Sequence, residues 1–316
     1  MTTASDRLLL LNIGTPLGSP SHLLSVSPDG QDIQVLAPDL GVAPDGIAID
    51  TINRHIFWTY MGTSHEGEDF FVNDGSLHRS DLDGSNAVTI VPTGGTFTPK
   101  QMQCDAERGL IYWCDREGLR VMRARTDGSE LTVLVQTGST DEERQDRLRH
   151  CVGIAIDPVG GFIYWTQKGR PDGGEGRILR AGLDLPAGAD PANRPDIEVL
   201  FDGLPEPIDL EWVGETGYLY WTDRGAPPEG NTLNRAVVRP GQPMIREIIF
   251  TGLHEGIGLA IDRRNRRAFV SDLGGFVQVV SLDHPDKGAV VFSGHGPLTG
   301  IAYLESESAW NFARVA

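Results

Sequence analysis

The sequence predicts an all-β protein, a six-bladed β-propeller whose last blade is closed by strands from both termini. Three observations predict it. A strand-like segment ending in an acidic residue recurs along the chain. An aromatic strand follows each of the first five copies after a short turn. The tryptophans at 58, 113, 165 and 221 recur at intervals of 55, 52 and 56 residues.

The first strands read GIAID (46–50), QMQCD (101–105), GIAID (153–157), PIDLE (207–211) and GLAID (258–262), with a weaker copy, GIAYL, at 300–304. The second strands are HIFWTY (55–60), LIYWCD (110–115), FIYWTQ (162–167), YLYWTD (218–223) and RAFVSD (267–272). Third strands follow, as in SLHRSDLDG (76–84), LRVMRARTDG (119–128) and RILRAGLD (177–184). The Asp-Gly pairs at 83–84 and 127–128 are two-residue hairpin signals. A fourth apolar strand closes each unit: AVTIV (87–91), LTVLV (131–135), IEVLF (197–201), IREIIF (245–250) and AVVF (289–292). Four short strands of period-2 pattern, repeated, make a propeller.

Five full units account for residues 44 to 293. The sixth first strand has no aromatic partner after it. The missing strands lie at the other end of the chain, in RLLLLNIG (7–14), SHLLSVSPDG (21–30) and DIQVLAP (32–38). Closure by both termini leaves no open edge between the first and last blades. A prior of one domain per ~150 residues suggests two domains; the repeat replaces it with a single domain over 1–316.

Composition bounds the function. The formal charge is −17, from 27 basic and 44 acidic residues, with no basic run. That excludes docking on phosphate backbones and on anionic membrane surfaces. Three cysteines cannot build a disulfide framework and suit a reducing compartment. No run approaches the ~20 apolar residues of a spanning helix, and Leu8–Leu11 is too short for a signal-peptide core. A cytoplasmic protein is expected. No P-loop, dinucleotide fingerprint, zinc-ligand spacing or nucleophile elbow occurs, so neither a cofactor nor a metal is expected.

The second strands resemble the YWTD repeats of low-density-lipoprotein-receptor-type propellers, best at 220–223, then at 112–115, 164–167 and 57–60, and degraded to FVSD at 269–272. Receptor members are secreted and carry cysteine-rich modules, and this chain shows neither feature. A closer resemblance is to freestanding fungal YWTD-like propellers, with a leucine-rich strand followed by Asn-Ile-Gly-Thr-Pro (12–16). These include the hetero-Diels–Alderases of tropolonic sesquiterpenoid assembly. The resemblance implies an enzyme that joins a tropolone quinone methide to a humulene-type terpene.

Propellers bind ligands at one end of the central channel. Loops entering the innermost strands bring Asp45, Lys100, Gln101, His150, Cys151, Glu206, His254, Glu255 and Thr299 to that end. The long loop after Tyr60 (61–74) offers Met61, Phe70 and Phe71 as an apolar lid, and long loops in compact domains are often functional. Lys168, Arg170, Arg116 and Arg224 stand on the same face. The charged insert at 139–150 is either a short helix or a solvated loop.

For a pericyclase, Lys100, Gln101, His254 and Thr299 are the candidate donors, and Glu206 and Glu255 the candidate bases for loss of water. Asp45, Met61, Phe70, Phe71, His150 and Cys151 would contact the substrates. The repeated tryptophans and the aspartates at 115, 223 and 272 read as core and turn residues. Two other readings stay open. A gluconolactonase-like hydrolase would hold a cation on Asp45, Glu206, Glu255 and Asp209. A YWTD scaffold would bind protein through a broad top face. Oligomeric state is left open.

Overall fold

The computed structural model describes residues 5–14, 20–41, 43–64, 69–239, 244–285 and 287–306. These residues form six four-stranded antiparallel sheets. The innermost strands are Pro44–Asp50, Pro99–Asp105, Cys151–Asp157, Pro207–Val213, Gly256–Asp262 and Leu298–Leu304, in blades 1 to 6. The last blade runs in the order Leu298–Leu304, Arg7–Asn12, His22–Val26 and Ile33–Ala37, so both ends of the chain build it.

The run Leu8–Leu11 closes that ring. Its register pairs Leu8 with Tyr303 and Leu10 with Ile301. Leu8 and Leu10 pack with Ala260, Phe269 and Leu298 at the blade 5–6 interface. Leu9 and Leu11 point the other way, toward Ile47 and Trp58 of blade 1. A strand buried on both faces needs an unbroken apolar run. Each such leucine contributes about 1.5–3 kcal/mol by burial.

The core is not central. It is divided among the seams between blades. Trp113 packs with Ala48, Phe57 and Met102 between blades 1 and 2. Trp165 packs with Tyr112 and Val121 between blades 2 and 3. Trp221 packs with Ala155 and Tyr164 between blades 3 and 4.

Two local expectations change. The Asp-Gly turns are longer than two residues: Gly84 N–H donates to Asp81 O, and Asp81 N–H to Ser85 O. Gly84 sits at φ +83°, the left-handed position that such a hairpin turn reserves for glycine. The insert at 139–150 contains a real helical turn, Asp141–Arg144. Thr140 and Glu143 cap it reciprocally.

Candidate functional site at the channel mouth

In blades 1 to 5 the pairing of the innermost strand slips between its first and fourth residues. A bulge of this kind frees and re-aims side chains at a sheet rim. The residues at the second position are Asp45, Lys100, Val152, Ile208, Ile257 and Thr299. The next position is glycine in four blades. A Cβ on Gly153 would lie 1.8 Å from Ile208 O, and one on Gly46 would lie 2.3 Å from Lys100 O. The backbone of the next blade passes too close for any side chain.

The threonine of the aromatic strand stitches this ring together. Thr166 Oγ1 accepts from Gly153 N–H at 2.7 Å and donates to Ile208 O at 2.8 Å. Thr222 does the same between Asp209 and Ile257. In blade 2, Cys114 replaces threonine and donates to Gly153 O at 3.2 Å. Sequence reasoning passed over this role. The signal was the threonine's own recurrence beside tryptophan. The following aspartate ties down the loop that enters its own blade. Asp115 accepts from Phe97 and Thr98 N–H, and Asp223 from Glu206 and Gly225 N–H. Burial raises the Asp223 carboxyl to about 6.

A cavity of about 110 Å³ opens at the mouth. Ile13, Met61, Phe70, Ile257 and Leu273 form its apolar wall, and Asp45, Lys100, Arg116, Arg224 and Thr299 its polar wall. Lys100 Nζ donates to Asp45 Oδ1 at 2.7 Å and to Met61 Sδ at 3.1 Å. Gln101 Nε2 donates to the other carboxylate oxygen of Asp45 at 3.1 Å. The Arg116 guanidinium lies 5.5 Å from the Phe70 ring centre and pairs with Glu117 at 2.7 Å. Burial opposes ionisation of Glu117, but Arg116 overcomes it and holds the carboxyl below its usual range. Glu206 Oε1 accepts from both Lys168 and Arg224, each at 2.9 Å. Glu255 Oε2 stands 3.8 Å from Arg224.

Asp45, Lys100, Thr299, Met61 and Phe70 therefore line the cavity, and Gln101 and Glu206 brace its polar wall. Other candidates stand elsewhere. Phe71 points outward, 37% exposed, unlike its buried neighbour Phe70. The His254 side chain is 60% exposed, leaning on Phe276, outside the cavity lining. Thr299 Oγ1 donates to Pro44 O at 2.9 Å, so its hydroxyl is engaged within the ring. His150 and Cys151 are fully buried beneath the rim. His150 Nε2 bonds Arg144 O at 2.7 Å, and Cys151 belongs to the blade 2–3 core. Burial lowers the His150 imidazole to about 4 and raises the Cys151 thiol to about 12. His150 caps the short turn Arg147–Arg149 and Cys151 opens the strand, and both side chains are taken into packing. Lys168 joins the mouth, whereas Arg170 pairs with Glu175 on the surface. The lid loop is described except for 65–68, and the Asn12–Pro16 motif only to Gly14. Sequence reasoning missed Glu117, which Arg116 carries into the protein.

No protein-family profile matches the chain. A protein of Pyricularia oryzae named low-density lipoprotein receptor-related protein 1 is 43% identical over 96% of this chain and 99% of its own length. The chain belongs to this low-density-lipoprotein-receptor-related, YWTD-type propeller family. LAM1 of Cochliobolus heterostrophus, named a 3-hydroxyacyl-CoA dehydrogenase-like protein, is 40% identical over 89% of this chain; the match spans 60% of LAM1. A chain of a nidogen/laminin complex superposes with a TM-score of 0.71 at 21% identity, over 94% of this chain and 98% of that one. A gluconolactonase of Xanthomonas campestris superposes with a TM-score of 0.59 at 17% identity, over 95% and 89%. Both structures show the shared fold alone.

Within this YWTD propeller the mouth joins a small apolar wall to cations that are each held by an acid. Among the described residues no three His, Cys, Asp or Glu are grouped to hold a metal ion. Asp45 and Glu206 face ammonium and guanidinium groups instead. Among the same residues no helix is long and apolar enough to cross a membrane.

Proposed function

We propose that this propeller is a cytoplasmic small-molecule biosynthetic enzyme, a pericyclase acting at the channel mouth. The reaction is an intermolecular hetero-Diels–Alder addition of a tropolone quinone methide to a humulene-type terpene. The observation that carries the reading is the divided lining of the mouth. Met61, Phe70, Ile257 and Leu273 suit a hydrocarbon, and Lys100, Arg116 and Arg224 suit a polarised oxygen. Two matching relatives come from fungi, and one carries an enzyme's name.

Cycloaddition joins the partners atom for atom and needs no covalent bond to the protein. The protein's task is to hold diene and dienophile in near-attack geometry. A cationic donor at the carbonyl lowers the barrier by a few kcal/mol more. Lys100 takes that role best, because His254 stands outside the cavity and Thr299 is engaged by Pro44 O. Gln101 positions Asp45 under Lys100. Glu255, half-exposed at the rim, is the freer of the two acids for loss of water, since Glu206 is held by two cations. Ligand pockets run to roughly 300–1,000 Å³, so the two reactants enter only when Met61 and Phe70 move aside.

Incubation of purified protein with both precursors tests the reading. Faster formation of one stereoisomer is expected; yield and stereochemistry equal to those in buffer would overturn it. The relatives' receptor name favours a second reading, a protein-binding scaffold. A stoichiometric partner in a pull-down, without turnover of the precursors, would select that one.

A further inference from the structure

Below the mouth the innermost strands repeat a small-residue pattern that two blades break. The third and fifth residues are Gly46 and Ala48, Gly153 and Ala155, Gly258 and Ala260, and Gly300 and Ala302. In blade 2 they are Gln101 and Gln103, and in blade 4 Asp209 and Glu211. Four polar side chains thus stand where the other blades place glycine and alanine against the seams. Gln103 Nε2 reaches past blade 3 and donates to Glu211 Oε1 at 3.2 Å. Asp209 accepts from Leu210 N–H and Leu259 N–H, each at 2.9 Å.

We propose that Asp209 and Glu211 are a carboxyl pair that holds one proton at neutral pH inside the channel, with Gln103 as its crossbar.

The physical case is burial and like charge. Asp209 is 5% exposed and Glu211, two residues on along the same strand, is half-buried; two carboxylates so placed cannot both ionise without cost. The neighbouring groups do not remove that cost. Ala155, Ala260 and Ala302 are apolar at this level. Arg263, from the turn after the blade 5 strand, favours the ionised Glu211 but is engaged by Glu215 and Trp212 O. Asp45, across the channel, adds negative charge against Asp209 and is itself paired with Lys100. Burial raises Glu211 to about 7; burial, then the charge of Glu211, raises Asp209. The two backbone N–H donors favour charge on Asp209 and Gln103 favours it on Glu211, but neither offsets burial, so the proton belongs to the pair. This inference is independent of the pericyclase reading.

The sign of the pH effect follows. The unfolded Glu211 titrates near 4.5. As pH rises from there through about 7, the native protein must release a proton that the unfolded chain has already lost, so stability falls. Thermal unfolding and infrared spectra of wild type, Glu211→Gln and Asp209→Asn test this. The expected result is a protonated-carboxyl band in wild type near neutral pH that disappears in alkali and is weakened in both Glu211→Gln and Asp209→Asn. The unfolding midpoint of Glu211→Gln should gain on wild type steadily across the same window. No such band in wild type, or midpoints that stay parallel with pH, would overturn the proposal. The band needs only the wild-type protein, so a poorly folding variant does not shield it.

Discussion

Lys100 and Asp45 form an ion pair across the seam between blades 1 and 2. Their charged atoms lie 2.7 Å apart, and the side chains are only 11% and 2% exposed. Removing one partner of a buried pair leaves the other charge desolvated, at a cost of about 3–5 kcal/mol. Lys100→Met should therefore lower the urea midpoint strongly, and the double variant with Asp45→Asn should recover most of the loss. Equal midpoints for the single and double variants would mean that the pair is not coupled.

Phe70 covers the mouth, with Arg116 over its ring and its carbonyl held by Thr98 Oγ1 at 3.1 Å. Phe70→Ala should admit probe molecules that wild type excludes. It should also reduce stereoselectivity in the cycloaddition assay more than the rate of precursor consumption. Phe71→Ala, at the exposed neighbour, should change neither.

Gly153→Ala should cost more than about 3 kcal/mol, within the range reserved for severe core faults. The added methyl would meet Ile208 O at 1.8 Å, and that carbonyl belongs to the next innermost strand. Gly161 sits at φ +76° with open space around it. Alanine there should cost only the left-handed backbone penalty, about 1–2 kcal/mol. Chemical denaturation of the two variants separates steric from conformational cost.

Cys151 should resist thiol reagents in the native protein at pH 8. Burial holds its thiol near 12, and the side chain is wholly enclosed. All three cysteines are free, so an aromatic disulfide reagent should count three thiols only after unfolding. Rapid native reaction at Cys151 would contradict the enclosed geometry.

Acid should destabilise the fold through His150. Burial, set against the charge of Glu117, depresses the folded imidazole from 6.5 to about 4. The unfolded chain takes up a proton below pH 6.5 that the native state takes up only near 4, so stability falls as pH drops through that window. His150→Gln should flatten this slope. The trend is opposite in sign to that expected of Glu211, and the two variants distinguish them.

Much of the mouth was legible because the repeat supplies its own alignment. Asp45, Lys100 and Thr299 occupy one recurring strand position, and all three line the cavity. The same reasoning misplaced His150 and Cys151. It located the strand entrance correctly, but not which way the side chains turn once the insert at 139–150 folds over them. Arg144 O captures the imidazole, and only a folded helical turn puts that carbonyl there. Phe70 and Phe71 looked equivalent as a pair, but the loop path buries one and exposes the other.

Sequence alone determined the blade count, the strand order and the closure by both termini. Those follow from local period, turn residues and aromatic recurrence, which every repeat states again. Tertiary structure alone decided which charges meet. Lys100 finds Asp45 across 55 residues, and Gln103 finds Glu211 across 108. Such pairings depend on the angle at which one blade follows the next around the axis. No single repeat encodes that angle; it emerges from the packing of the seams between blades.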